Sequence, residues 1–182
     1  MSSLITFIKE ELKNPFEVGA VSPSSSYCAR ETVRFSGIRE GDSVLEAGAG
    51  TGAITFEIAR VVGRRGKVYA VEVNPHLVDE LKEGIKKRKA KNIVVVSDTV
   101  ENISKYVKRV DAIISSLPLT TIPEPLRVMD KMKKTLKNGG VYVQQNYLGN
   151  LKNLLQQSGY KNIEMKLTWI NIFPGFILRG VK

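Results

Sequence analysis

The chain has 182 residues, of which 42% are hydrophobic and 25% charged, and its 28 lysines and arginines against 18 acids give a net charge of +10. This length suits one domain with a substantial core, and one cysteine excludes an internal disulfide. No apolar run approaches the roughly 20 residues of a membrane-spanning helix, and the N-terminus lacks a convincing secretory signal, so we expect a cytoplasmic protein.

The first 40 residues predict a helical cap. Their opening stretch, MSSLITFIKEELKN, places its apolar side chains on one helical face, namely Leu4, Ile5, Phe7, Ile8 and Leu12. The cluster Ser24–Ser26 is typical of an N-cap and predicts a second helix that runs to about Phe35. The apolar face of the first helix fits either the domain's own core or a membrane surface.

From residue 42 onward, short buried-looking strands alternate with helical patterns. The strand patterns are SVLEAG, KVYAVEV, NIVVVS, VDAIISS and GGVYVQQN. The last segment, KNIEMKLTWINIFPGFILRGVK, contains two strand patterns without a helix between them, which requires antiparallel pairing. We therefore predict an α/β fold: a Rossmann-like, doubly wound, mostly parallel seven-stranded sheet with a C-terminal antiparallel hairpin. One domain would span 1–182, with the cap at 1–40 and the core at 41–182.

A glycine-rich turn follows the first predicted strand. Gly48, Gly50 and Gly52 lie where the chain turns from strand to helix, and glycine lets the backbone approach a ligand closely. The absence of a GK[ST] sequence excludes a phosphate-binding P-loop. Gly48, Gly50 and Ala53 do satisfy the looser dinucleotide pattern G-x-G-x-x-A, so the glycines alone leave the ligand open.

Three carboxylates at predicted strand ends narrow the choice. Glu46 would repel a phosphate and attract an ammonium group, Glu72 can accept from both ribose hydroxyls, and Asp98 can accept from an adenine amine. Together they favour S-adenosylmethionine over a nicotinamide cofactor. The predicted cofactor site also includes the three glycines and residues from several other segments, which are Gly48, Gly50, Thr51, Gly52, Val73, Thr99, Ser115, Ser24 and Ser25.

Four segments resemble a known family. The sheet pattern with its terminal hairpin resembles class I S-adenosylmethionine-dependent methyltransferases. More narrowly, FIKEELKNPFEVGAVSPSS, AIISSLPLTTIPE, VYVQQNYLG and INIFPGFIL resemble segments of bacterial phospholipid N-methyltransferases, and the chain is distantly similar to rRNA adenine dimethyltransferases. The resemblance implies methyl transfer to the amine of a phospholipid headgroup, S-adenosylhomocysteine as product, and an N-terminal helix on the membrane. The net positive charge suits such peripheral contact at an anionic inner membrane face.

The segment after the fourth predicted strand is the expected acceptor site. We predict that Ser115, together with the carbonyls of Ser116 and Leu117 beside Pro118, orients an amine-bearing acceptor. Methyl transfer is an in-line displacement that depends on positioning, so a strong general base is not required for a neutral amine. Tyr147 is expected to line the acceptor side, as is Tyr27, whose ring can favour an ammonium group.

Two alternatives stay open. An RNA adenine methyltransferase would suit the basic runs KKRKAK (86–91) and KMKK (131–134), although such runs are also common on solvated helix faces. Enzymes of that kind place an aromatic ring where this chain has Leu119, and a flipped base without a stacking ring loses roughly 1–3 kcal/mol. Tyr147 or Phe16 could supply such a ring instead. A small-molecule methyltransferase on the same scaffold is the third possibility.

The remaining notable residues have structural interpretations. One histidine and one cysteine provide no metal-binding constellation. We assign His76 to the first turn of a helix, Cys28 to helix packing and Trp169 to the core.

Overall fold

The computed structural model describes residues 26–146, 151–170 and 173–182. Helices and strands alternate there in the predicted order. The elements are α1 (Ser26–Ser36), β1 (Ser43–Ala47), α2 (Ala53–Val62), β2 (Lys67–Val71), α3 (Pro75–Arg88), β3 (Ile93–Val96), a 3₁₀ helix (Val100–Lys105), β4 (Val110–Ser115), α4 (Pro125–Thr135), β5 (Leu136–Asn146), α5 (Leu151–Gln157), β6 (Lys161–Ile170) and β7 (Phe173–Val181). The first predicted helix, with Leu4 to Leu12, lies outside the described residues.

The strands form one seven-stranded sheet in the order β3-β2-β1-β4-β5-β7-β6. Strands β1 to β5 are parallel, while β7 pairs antiparallel with both β5 and β6. The predicted Rossmann-like fold with a C-terminal antiparallel hairpin is therefore confirmed. We call the side of the sheet where β1 to β5 end the carboxyl edge, and the opposite side the amino edge.

Both faces of the sheet are covered, because alternate residues of its strands point to opposite sides. On one face, Val44, Val68 and Ile114 pack with residues of α1 and α2, and α3 covers β2 through Leu81. On the other face, side chains of the 3₁₀ helix, α4 and α5 pack against the alternate strand residues, with Tyr142 fully buried among them. Continuous burial on both faces explains the nearly unbroken apolar strand patterns.

Strands β2 and β3 are added on one side of β1 and strands β4 and β5 on the other, so the order of strands reverses between β1 and β4 and creates a topological switch point there. The neighbours of β1, β2 and β4, lie on either side of it, and the connections that leave β1 and β4 diverge at the carboxyl edge. In open α/β sheets, ligands bind at such a crevice outside the carboxyl ends of the strands. The glycine turn Gly48–Gly52 is located at this point, between β1 and α2.

Two small assignments made from the sequence are confirmed. His76 lies in the first turn of α3, where its amide donates to the N-cap Asn74 side chain at 3.0 Å. Cys28 is fully buried on α1 and packs against the sheet, with its Sγ accepting from Gln145 Nε2 at 3.2 Å. Among the described residues, no group of three or more His, Cys, Asp or Glu side chains could hold a metal ion.

The assignment of Trp169 to the core is wrong. Its side chain is 59% exposed, and those of Met165 and Leu167, which precede it at two-residue spacing on β6, are 58% and 65% exposed. In the described ranges, strand β6 is the last strand of the sheet and has β7 as its one neighbour. The period-two pattern correctly predicts a strand, but the described helix α5 is short, Leu151–Gln157, and leaves these three residues uncovered.

Candidate functional site

The glycine turn uses left-handed backbone at three alternate positions. Gly48, Gly50 and Gly52 have φ values of +83°, +53° and +96°, a region that residues with a Cβ rarely adopt. A Cβ on Gly52 would lie 2.6 Å from Leu81 Cδ1, whereas a Cβ on Gly50 would meet nothing within 4 Å. Gly52 is therefore needed for packing on α3, and Gly50 faces open space through which a ligand can approach the backbone.

Glu72, directly after β2, holds this turn in place. Its Oε2 accepts from Gly50 N at 2.9 Å, and its Oε1 accepts from Val73 N at 2.8 Å and from Asn74 N at 2.9 Å. The carboxylate thus joins the glycine turn to the start of α3. Because Oε2 accepts one hydrogen bond among the described residues, it retains capacity for a hydroxyl donor, as the predicted ribose contact requires.

Glu46 is the most deeply buried carboxyl of the turn. It is the fourth residue of the five-residue strand β1 and only 1% exposed. Its Oε2 accepts from the Thr55 hydroxyl of α2 at 2.5 Å, while Oε1 has no hydrogen-bond partner among the described residues. Burial raises the pKa of Glu46 to about 8, and the nearby Glu72 carboxylate adds to the increase. A buried oxygen that lacks a donor fits the predicted contact with a cationic ligand group.

Asp98, which follows β3, is already well hydrogen-bonded. Its Oδ1 accepts from Thr99 N at 2.7 Å and Asn102 Nδ2 at 2.9 Å, and its Oδ2 accepts from the Tyr106 hydroxyl at 2.9 Å. Burial would raise its pKa, but these hydrogen bonds outweigh burial and lower it. Asp98 is therefore a fixed carboxylate at the carboxyl edge. Thr99 is the N-cap of the 3₁₀ helix and accepts from Glu101 N at 3.4 Å.

The predicted acceptor segment packs directly against the glycine turn. Ser116 N donates to Ala47 O at 2.9 Å, and a Cβ on Gly48 would lie 3.5 Å from Leu117 Cδ2. Ser115, the last residue of β4, is fully buried, and its hydroxyl accepts from Leu117 N at 3.3 Å. The fold therefore brings the two segments together at one point of the carboxyl edge.

A buried amide that the sequence analysis missed fixes the acceptor segment. Gln144 on β5 is fully buried, and its Nε2 donates to Leu117 O at 2.9 Å. The same carbonyl also accepts from Leu119 N at 2.8 Å, while Gln144 Oε1 accepts from the Tyr142 hydroxyl at 2.6 Å. The carbonyl of Leu117 is thus fully used, which leaves that of Ser116 as the better candidate to orient an acceptor. The signal was the polar QQN sequence directly after the apolar VYV run of this strand.

A second missed amide connects the acceptor segment to α1. Gln145 Nε2 donates to the Thr32 hydroxyl of α1 at 2.5 Å, and its Oε1 accepts from the Ser116 hydroxyl at 3.5 Å. The two adjacent glutamines point to opposite faces of the sheet, as consecutive strand residues do. The acceptor segment is consequently held from both sides.

The structure does not describe every predicted site residue. Tyr147, Ser24 and Ser25 lie outside the described residues, while Thr51 lies half-buried in the glycine turn and Tyr27 is exposed on α1. The assignment of individual contacts to cofactor or acceptor stays a prediction for the whole set. The structure places Glu46, Gly50, Glu72 and Ser115 at the same edge of the sheet, in or directly after the adjacent strands β2, β1 and β4.

Comparison with known proteins gives consistent matches. Residues 38–171 match a family model described as a methyltransferase domain. A probable cobalt-precorrin-6B C(15)-methyltransferase (decarboxylating) from Sulfurisphaera tokodaii is 34% identical over 127 residues, which are 67% of this chain and 64% of that protein. A protein-L-isoaspartate O-methyltransferase from Fervidobacterium nodosum is 32% identical over 141 residues, or 75% and 67% of the two chains.

Structural comparison supports the same fold. An S-adenosylmethionine-dependent O-methyltransferase from Thermotoga maritima has a TM-score of 0.75 at 20% identity, with 100% of this chain and 71% of that chain covered. The chain spans between about a quarter and two thirds of the length of the curated relatives that it matches. These comparisons confirm the expected methyltransferase fold and S-adenosylmethionine as the cofactor.

Proposed function

Because the chain belongs to the methyltransferase domain family, we propose that it transfers the methyl group of S-adenosylmethionine to an amine-bearing acceptor. The observation that carries this proposal is the glycine turn: Glu72 is hydrogen-bonded to Gly50 N, and Oε1 of the nearby Glu46 has no donor among the described residues. The open space over Gly50 lets a nucleoside approach the backbone. The relatives' names indicate different acceptors, so the acceptor is argued from this chain's own residues.

Each residue of the turn has a proposed role toward the cofactor, which supplies an electrophilic methyl group when bound. Glu72 Oε2 accepts from the ribose hydroxyls, and the fixed carboxylate of Asp98 accepts from the adenine amine. Glu46 pairs with the ammonium group of the aminoacyl end, which removes its burial penalty. Thr51, Val73 and Thr99 contribute backbone and side-chain contacts around this nucleoside.

The acceptor segment is proposed to hold an amine rather than a nucleobase. Leu119, which occupies the place of a base-stacking ring, is 1% exposed and belongs to the core. It therefore cannot support a base at the site, and this disfavours the RNA adenine alternative. The carbonyl of Ser116 would orient the amine, with Leu117, Pro118 and Tyr147 around it, while the fully buried Ser115 would act by fixing this segment through its hydrogen bond with Leu117 N. Since the reaction is in-line displacement, these residues act by orienting the acceptor and excluding water.

A phospholipid headgroup is the most specific form of this proposal, and it rests on the sequence resemblance alone. Within residues 26–146, 151–170 and 173–182, every helix is too short or too polar to cross a bilayer. Peripheral contact with an inner membrane face and a cytoplasmic location stay predictions. A soluble small-molecule amine fits the same residues, so the two acceptors have to be separated by experiment.

Calorimetry with S-adenosylhomocysteine tests the cofactor site, using wild type, Glu72→Ala and Glu80→Ala. Glu80 is a matched control, since it is an exposed carboxylate on α3 that pairs with His76 instead of the turn. We expect binding to wild type and to Glu80→Ala, and a loss of at least tenfold in affinity for Glu72→Ala. Absence of binding to the wild type would overturn the proposal.

Transfer from labelled S-adenosylmethionine then identifies the acceptor class. Vesicles of phosphatidylethanolamine, a set of soluble primary amines and an RNA transcript are offered separately. Label in the lipid or in a soluble amine supports the amine proposal and decides between its two forms. Label in RNA alone would refute it and restore the adenine alternative.

A further inference from the structure

The positive charge of the chain is concentrated at the amino edge of the sheet. The connections that cross this edge are residues 37–43, 63–67, 86–92, 107–111, 133–138 and 158–161, with Lys182 at the end of β7. They contain sixteen of the 28 lysines and arginines but three of the 18 acids, namely Glu40, Asp42 and Asp111. The rest of the chain therefore has more acids than basic residues. We call this set of connections the basic edge.

Within the part of the chain that the structure describes, most cations of the basic edge form no ion pair. Among the described residues, four of them pair with a carboxylate within 4.0 Å, which are Arg65, Lys87, Lys134 and Lys137. Arg64, Lys67, Lys86 and Lys91 are exposed and form no ion pair there. Such a distribution produces a positive potential that is not cancelled locally.

Three further cations of the basic edge lie close to one another. The Lys182 ammonium donates to the carbonyls of Lys133 and Leu136, and Arg109 donates to the same Leu136 carbonyl at 3.4 Å. Burial lowers the pKa of Lys182, and the charges of Arg109 and Lys133 lower it further. The carbonyls at the end of α4 hold these cations together despite their mutual repulsion.

The basic edge is elongated and remote from the candidate active site. Seven strands at about 4.8 Å spacing give it a length of about 29 Å, which is enough to contact several successive phosphates of a single strand. Strand β4 separates the edge from Ser115 by about 17 Å, at about 3.3 Å per residue. A polyanion on this edge would therefore leave the carboxyl edge accessible.

From this arrangement we propose that the basic edge binds the phosphodiester backbone of a nucleic acid, independently of methyl transfer. A membrane is the poorer fit, because stable attachment to a bilayer combines basic residues with inserted apolar side chains. Among the described residues, the exposed apolar side chains Met165, Leu167 and Trp169 lie on β6 from its fifth residue onward, and β6 runs toward the opposite edge. Contacts to the backbone need no base recognition, so binding should be independent of nucleotide sequence. This surface goes beyond the proposed methyl transfer and does not depend on it.

The test measures binding of a fluorescent 20-nucleotide oligouridylate at several salt concentrations. The triple variant Arg64→Gln, Lys86→Gln, Lys91→Gln removes three unpaired cations of the basic edge. The control Arg30→Gln, Lys82→Gln, Lys131→Gln removes the same charge elsewhere. We expect wild type and control to bind, and the basic-edge variant to bind at least tenfold more weakly. For this variant, the slope of log affinity against log salt concentration should be shallower by about 2, since each single-strand phosphate contact contributes about 0.7 to its magnitude.

Other outcomes would overturn the proposal. Equal losses in both triple variants would mean that net charge, not the basic edge, attracts the RNA. Failure of the wild type to bind at 50 mM salt, or binding only to phosphatidylserine-containing vesicles, would exclude a nucleic-acid surface. Thermal unfolding of each variant shows whether it is folded. Its binding of S-adenosylhomocysteine shows whether the cofactor site is intact, so loss of RNA binding can be distinguished from failure of the proposed methyl transfer.

Discussion

The hydroxyl of Thr55, on α2, donates to the buried carboxyl of Glu46, on β1, at 2.5 Å. This contact joins the strand before the glycine turn to the helix after it, so a buried hydrogen bond connects the two ends of the turn. The second oxygen of Glu46 has no donor among the described residues. Because burial raises the pKa of Glu46 to about 8, this carboxyl is mainly protonated at neutral pH when no ligand is bound.

The stability of the protein should therefore depend on the titration of Glu46. The folded state holds this proton more tightly than the unfolded chain, whose glutamate pKa is near 4.5. Glu46 thus contributes stability that is complete below pH 4.5 and is lost as the pH rises through about 8. The upper limit of the loss is about 5 kcal/mol, since one pKa unit corresponds to about 1.4 kcal/mol.

Glu46→Gln tests this prediction, because glutamine can still accept from Thr55 and does not titrate. Urea unfolding at pH 5, 7 and 9 should show that the variant gains stability relative to wild type as the pH increases, by a few kcal/mol between the extremes. Glu80→Gln, an exposed carboxyl, should run parallel to wild type. Parallel curves for wild type and Glu46→Gln would show that Glu46 ionises normally.

Ligand binding should couple to the same proton. If Glu46 pairs with the ammonium group of the cofactor, binding favours the charged carboxylate and releases a proton near pH 7. The affinity for S-adenosylhomocysteine should accordingly increase from pH 6 to 8 in wild type and stay nearly level in Glu46→Gln. Calorimetry at pH 7 in two buffers of different ionisation enthalpy counts the protons released. A count of zero in wild type would remove Glu46 from the ammonium contact.

The sequence was sufficient for the order of elements because periodicity and glycine position carry that information. The spacing of Gly48, Gly50 and Gly52 indicated the turn, and the strand ends located Glu72 beside it. Burial on both faces gives strands without alternation, which is why parallel pairing could be inferred.

Other features depend on three-dimensional contacts that no local pattern contains. Trp169 lies in a strand, as predicted. Its exposure depends on the position of that strand in the sheet and on the elements that cover it, and both are determined by tertiary packing. The hydrogen bond from Gln144 to Leu117 joins residues that are 27 positions apart. The basic edge likewise consists of short runs that are separate in sequence and adjacent only after folding.

Gln144 should act as a positioning residue for the acceptor segment. Gln144→Leu removes the Gln144 acceptor of the buried Tyr142 hydroxyl, at a cost of about 1–3 kcal/mol, and one of the two donors to the Leu117 carbonyl, which keeps its hydrogen bond from Leu119 N. We expect a higher KM for the acceptor with unchanged affinity for S-adenosylhomocysteine. If Gln144 had a purely structural role, the variant would be less stable, but the KM for the acceptor would not increase while the affinity for S-adenosylhomocysteine stayed unchanged.

A double-mutant cycle separates the two consequences of Gln144→Leu. Tyr142→Phe removes the stranded hydroxyl, so the double variant should regain part of the stability that Gln144→Leu loses. The acceptor KM should remain high, because Leu117 O still lacks the amide. Recovery of KM together with stability would assign the kinetic effect to general destabilisation and contradict the positioning role.

Trp169 gives a direct test of the uncovered face of β6, since it is the only tryptophan of the chain. Its 59% exposure predicts red-shifted fluorescence that acrylamide quenches almost as efficiently as it does in the urea-unfolded protein. Trp169→Gln should change the free energy of unfolding by no more than about 0.5 kcal/mol, as is usual for exposed positions. Ile113→Ala on β4, a fully buried site, is the contrasting variant and should lose about 2–5 kcal/mol. Blue-shifted, unquenched emission would mean that another part of the chain or a second copy covers this strand. A large loss of unfolding free energy in Trp169→Gln would mean that the covering residues pack on the indole itself.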